Sequence, residues 1–136
     1  MANKSDVQLV QRTFEMILPI ADTFAAMFYD RFFAEAPDTR RLFSTDMSVQ
    51  REKVVDMLAL AVRSLDNPAA LKNELTELGD RHIEYRVDAQ YYDVMNQAII
   101  GALQDCLGDR FTAEMVAAWE EALQLMTTKM IAAYTN

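Results

Sequence analysis

The sequence predicts one all-α domain spanning residues 1–136, and three observations carry that expectation. Only 3 Gly and 3 Pro interrupt 136 residues, so little stands against long helices. Apolar residues recur at steps of three and four along nearly the whole chain. No segment alternates apolar and polar residues as a half-buried strand would, and no repeat, linker or low-complexity stretch divides the chain.

Taken in order, Val7, Val10, Phe14 and Ile17 mark the buried stripe of a first helix, with Ser5 or Asp6 as its N-cap. Pro19 interrupts it, and a second helix carries Phe24, Met27, Phe28 and Phe32 inward as far as about Ala34. Pro37 opens a short third turn, PDTRRLF, that ends in Phe43. The stretch STDMS offers several caps to a long helix from about Ser48 to Leu65, whose stripe reads Val54, Leu58, Ala61 and Leu65. Asn67-Pro68 restarts the chain as a capping residue followed by proline at the first helical position. On the helix that follows, Leu71, Leu75, Leu78 and His82 share one face, with the histidine near its end. Asp88 caps another helix, with Tyr92, Met95, Ile99 and Leu103 inward and Gly108 as its stop. Thr112 starts the last, with Met115, Trp119, Ala122, Met126 and Met130 on one face.

Composition narrows the function classes. A net charge of −8 argues against nucleic acid as a partner, because phosphate binding needs clustered Lys and Arg. Cys106 stands alone, which excludes an internal disulfide, a Cys-rich zinc site and an iron–sulfur cluster, and it reads as a buried small hydrophobe. No apolar run approaches membrane length, and MANKSDVQ lacks the apolar core of a signal peptide, so no membrane insertion and a reducing cytoplasm are expected. Nine Met, seven Phe and five Tyr are a large aromatic and adaptable load that suits the wall of a cavity as well as a core.

His82 is the only histidine. On an apolar helix face it reads either as a core imidazole bonded to nearby carbonyls or as a metal ligand. Zinc would need about three or four protein ligands. Haem needs only one when a gas takes the opposite side. Periodicity alone does not choose between these readings.

The order Tyr29, Phe43, Gln50, Val54, His82 does choose, because it resembles the haem pocket of the globin family. The closest likeness is to its bacterial branch, the single-domain bacterial haemoglobins and the haem domains of flavohaemoglobins. The resemblance runs from about Val7 to Tyr134, and three segments carry it: MFYDRFFAEAPDTRRLF (27–43), ELGDRHIEYRVDAQYYDV (77–94) and LGDRFTAEMVAAWEEAL (107–123). It implies a globin fold, a three-over-three helical sandwich, around one haem b that binds O2, NO and CO.

Position by position, His82 matches the proximal iron ligand and Phe43 the aromatic that wedges against the porphyrin. Tyr29 and Gln50 match the two distal polar positions. Dioxygen held on haem becomes partly negative, so a phenol O–H or an amide N–H aimed at it favours retention, and carbon monoxide gains less. Val54 faces the same pocket one turn after Gln50 and limits its space. Lys53, and Arg81 on the proximal side, are the cations expected to meet haem propionates. Phe28, Leu78, Val87, Met95 and Met126 are expected to line the porphyrin.

In flavohaemoglobins a tyrosine and a glutamate support the proximal histidine, and NO is oxidised to nitrate by bound O2. Tyr92 matches that tyrosine, ten residues after His82. The glutamate is the departure: alignment on Trp119 puts Tyr134 in its place, and Glu84 and Glu121 are the acidic residues left to replace it. Without the carboxylate the imidazole should be less electron-rich. No Gly-rich nucleotide loop is present, so turnover would need a separate flavin reductase. The reading is therefore reversible O2 binding (the activity behind oxygen transport or storage), with stand-alone NO dioxygenation as the enzymatic alternative. A haem-based gas sensor is a second alternative, although globin-coupled sensors carry an output domain and none is present in this sequence. A haem-free interaction module would make the joint presence of Tyr29, Phe43, Gln50 and His82 a coincidence.

Overall fold

The computed structural model describes residues 4–42, 46–67, 69, 73 and 91–135, and of 129–135 only the backbone path. Every described element is helical, as expected. Helix α1 spans Lys4–Ile17 and buries Val7, Val10, Phe14 and Ile17. It begins earlier than the sequence suggested, so Ser5 and Asp6 lie inside its first turn. There the Asp6 carboxylate faces the positive end of the helix dipole. Pro19 sets a short 3-10 turn, Leu18–Ile20, which leads into α2, Ala21–Glu35.

Helix α2 buries Phe24, Ala25, Phe28, Tyr29 and Phe32. Met27, expected inward, is instead 37% exposed. The stripe set by positions 24, 28 and 32 leaves residue 27 about 100° round the helix from Phe28. A 3-10 turn, Pro37–Leu42, follows, and Thr39 is fixed within it by a hydroxyl bond to the Ala36 carbonyl at 2.7 Å.

Helix α3, Met47–Arg63, has Asp46 as its N-cap, and the Asp46 Oδ1 accepts from the Ser48 N–H at 3.2 Å and its hydroxyl at 2.6 Å. Burial along α3 is uneven. Gln50 is the buried residue of its first half, and Leu58, Ala59, Ala61 and Val62 are buried in its second. Val54 is half-buried, and Leu65 is buried just beyond the helix end.

Helix α4 runs Tyr92–Leu107 and ends at Gly108, whose φ of +55° suits a residue without Cβ. Helix α5, Ala113–Thr135, starts from Thr112, whose Oγ1 accepts the Met115 N–H at 3.2 Å.

The main packing contacts are α2 on α4 and α1 on α5, with α3 on α2 and α4 on α5 completing the interior. One apolar cluster runs through the five helices given above, from Phe14 and Phe24 through Val62 and Leu103 to Trp119. On the rim of the α2–α4 crossing the Arg31 guanidinium bonds both Asp105 oxygens at 2.7 Å. None of the helices is long and apolar enough to cross a membrane among the described residues.

Candidate functional site

The crossing of α2 over the first turn of α3 brings two of the sequence-predicted residues together inside the protein. Tyr29 and Gln50 are each 6% exposed. The Tyr29 hydroxyl donates to the main-chain carbonyl of Gln50 at 3.4 Å, long for an O–H···O bond and correspondingly weak. The Asp46 cap places the start of α3 so that Gln50 falls in its first turn, facing α2. Gln50 is the one buried polar residue of α3 among the described residues.

Aromatic packing surrounds the phenol. Phe28 meets Tyr29 edge to face, with centroids 4.9 Å apart and planes at 66°, and stacks on Phe32 at 5.9 Å. Phe33, one turn after Tyr29, lies over its ring at 5.5 Å and 27°. The Arg40 guanidinium in turn sits 5.5 Å from the Phe33 centroid. Sequence reading had singled out neither Phe33 nor Arg40. The spacing of four between Tyr29 and Phe33 was the available signal, since such pairs are neighbours on a helix.

Val54 is half-buried one turn beyond Gln50, and Lys53 is exposed, with its ammonium in solvent. Arg51 is tied by a 2.7 Å bond to Asp22 at the start of α2, a surface link whose Asp22 side chain is 76% exposed. In water such a pair contributes little.

On the last two helices Tyr92 is buried at the head of α4, Met126 is buried on α5, and Met95 is half-buried against the core. Asn96, one turn after Tyr92, donates through Nδ2 to the buried Thr127 hydroxyl at 3.0 Å, a polar link between α4 and α5 that the sequence had not suggested. Glu121 is exposed, so it does not supply an interior carboxylate in place of the family's glutamate, where this chain carries Tyr134. Phe43, Leu78, Arg81, His82, Glu84 and Val87 lie outside the described residues, as does the side chain of Tyr134.

Burial, and secondarily the neighbouring Asp105 charge, push the Cys106 thiol upward, so it stays protonated at neutral pH and is half-buried as an inert group. No cluster of three or more His, Cys, Asp or Glu capable of holding a metal occurs among the described residues. A phenol and an amide set side by side in an apolar wall are donors without a carboxylate. That set suits a small polar ligand rather than a bare cation.

Comparison with known proteins agrees with this architecture. Residues 26–130 match the globin family. A flavohemoprotein of Bacillus subtilis is 21% identical over 134 residues, which cover 96% of this chain and 34% of that protein. A flavohemoprotein of Chromobacterium violaceum is 24% identical with the same coverage of this chain and 33% of its own. An extracellular monomeric globin of Tubifex tubifex is 28% identical over 113 residues, covering 76% of this chain and 78% of the relative. The chain thus spans about a third of the length of these flavohemoproteins.

Proposed function

Since the chain belongs to the globin family, we propose that it binds one haem b through His82 and takes up O2 reversibly, with NO and CO as further ligands. Haem supplies the iron at which a diatomic gas binds. The observation that carries the reading is the burial of Tyr29 and Gln50 against one another across α2 and α3. Each is a donor in an apolar wall. The Tyr29 hydroxyl meets the Gln50 carbonyl at 3.4 Å, a long bond with which a more negative acceptor competes. The Gln50 amide adds a second donor from the next helix. Val54 narrows the space beside them, while the side chains of Phe28, Met95 and Met126 supply apolar lining. Phe43, Leu78 and Val87 belong to the same lining on the family pattern. Lys53, free in solvent, is available to a propionate, and Arg81 is its counterpart on the other face. Tyr92 is the residue assigned to support His82.

The test is a visible spectrum of the purified protein, ferric, reduced, and then exposed to CO and O2. A Soret band near one haem per chain, with a lasting oxygenated form, is expected. His82→Ala should lose that band, and its survival would refute the ligand assignment. Tyr29→Phe should speed O2 release by roughly tenfold and leave CO release nearly unchanged, as loss of one hydrogen bond to a charged acceptor implies. Equal effects on both gases would assign the pocket to steric control.

Matches to flavohemoproteins over 96% of the chain favour a second reading, NO dioxygenation with electrons from a separate flavin reductase. Stopped-flow consumption of NO by the oxygenated protein, followed by turnover with an added reductase, separates dioxygenase from carrier.

A further inference from the structure

We infer that Phe33 is a positioning residue for the Tyr29 phenol, held from outside by Arg40, so that a ring contact on α2 sets the hydrogen bond on which O2 retention depends. The inference rests on the proposed role of Tyr29 as distal donor and extends it to a residue one turn away. A tyrosine on a helix has two rotatable side-chain torsions, and the direction of its hydroxyl depends on both. In this protein the ring is gripped from two sides. Phe28 presses an edge against it at 4.9 Å, and Phe33 lies nearly parallel to it at 5.5 Å. These two geometries are the favourable ones for aromatic pairs.

Phe28 is fixed in turn by the core, through its stack on Phe32. Phe33 is half-buried against the core and meets Phe32 at 5.8 Å. The Arg40 guanidinium lies over its ring from the turn after α2 at 5.5 Å, within the range of a cation–π contact. The series Arg40–Phe33–Tyr29–Gln50 therefore runs from the surface to the buried hydroxyl through contacts between the two helices and the turn that joins them. The two flanking rings bear on the phenol that also meets the Gln50 carbonyl at 3.4 Å, so a change in either ring shifts the direction of its hydroxyl.

The experiment uses the haem-loaded protein and measures O2 and CO dissociation rates side by side for Phe33→Leu, Phe33→Tyr, Tyr29→Phe and the Tyr29→Phe/Phe33→Leu double variant. F33L should release O2 faster by about two- to tenfold, the worth of one aromatic pair, with CO release unchanged. F33Y keeps the ring and should release both gases at the parental rates. The double variant should release O2 no faster than Y29F alone, because the effect of Phe33 passes through the phenol. A change in both gases alike, or an F33L effect that persists in the Y29F background, overturns the assignment while leaving Tyr29 as the distal donor. A Y29F variant with parental O2 release overturns the role of Tyr29 itself, and the inference with it. Should F33L not fold, Phe33→Met, which fills the space without a ring, gives the same comparison.

Discussion

Trp119 has the largest fully buried side chain of the described interior, and its indole N–H has no hydrogen-bond partner there. A buried donor left unpaired costs free energy, so the residue is retained for its volume and not for its polar tip. Trp119→Phe removes the orphaned N–H along with part of the ring, and the two effects oppose one another. The expected loss is about 1 kcal/mol, against roughly 3–5 kcal/mol for Trp119→Ala, where the whole cavity opens. Urea unfolding of the two variants checks the ordering, and similar losses for both would mean that the indole has a partner in solution. At this scale the sequence was informative about identity and less so about environment. The step of four from Met115 to Trp119 placed the indole inward, and the family resemblance matched Tyr29 and Gln50 to its two distal polar positions. That Phe33 lies on Tyr29, or that Asn96 reaches Thr127, depends on rotamers and helix crossings that no spacing rule encodes.

Helix boundaries were legible where a local chemical signal exists. STDMS contains the Asp46 cap, Thr112 caps α5, and Gly108 stops α4 with a positive φ. The start of α1 and the outward turn of Met27 were misjudged because each depends on the phase of a stripe against its neighbours, not on a cap. The caps make an acid prediction. Asp46 is held below its ordinary carboxylate value, first by the Ser48 hydroxyl and then by the backbone N–H groups of Ser48 and Val49. A lowered folded-state value means that its contribution is present above the ordinary carboxylate range and is lost as pH falls through and below it. Asp46→Ala should lower the thermal midpoint at pH 7, a difference that shrinks progressively as pH falls below the ordinary carboxylate range, whereas Asp46→Asn should stay near the parent at pH 7. A gap between D46A and parent that does not narrow in acid would remove the carboxylate from the explanation. The α2–α4 crossing gives a second element-scale expectation. A Cβ at Gly101 would lie 2.6–2.8 Å from the end of the Arg31 side chain, which is flexible and can move aside. Gly101→Ala therefore exchanges the exposed Arg31–Asp105 pair, worth about 0–1 kcal/mol, for a helix-propensity gain of roughly 1 kcal/mol. Its stability should lie between the parent's and about 1 kcal/mol above it, and in an Arg31→Ala background, where no pair is lost, the gain should approach the full propensity term of about 1 kcal/mol.

Over the whole molecule, packing is shared unequally between protein and proposed cofactor. The α1–α5 and α2–α4 layers are closed by side chains of the chain itself, with Val10, Phe14, Phe24, Leu103 and Trp119 all buried. Helix α3 is divided: its second half buries Leu58, Ala59, Ala61 and Val62, while its first half buries only Gln50 and leaves Val54, Val55 and Met57 partly uncovered. If haem occupies the space that Tyr29 and Gln50 face, it supplies packing that the first half of α3 lacks. A ligand that binds only the folded state stabilises it by mass action, and most where it makes contact. Haemin added to the apoprotein should therefore slow amide exchange at residues 50–57 by at least about tenfold, with a smaller change at 98–107 and 115–123, where the protein core is already complete. Native-state hydrogen exchange with and without haemin makes the comparison within one sample. His82→Ala, given the same haemin, should show neither effect. Uniform slowing across all helices would place the cofactor's contribution in global stability instead, and no change at residues 50–57 would separate α3 from the haem altogether.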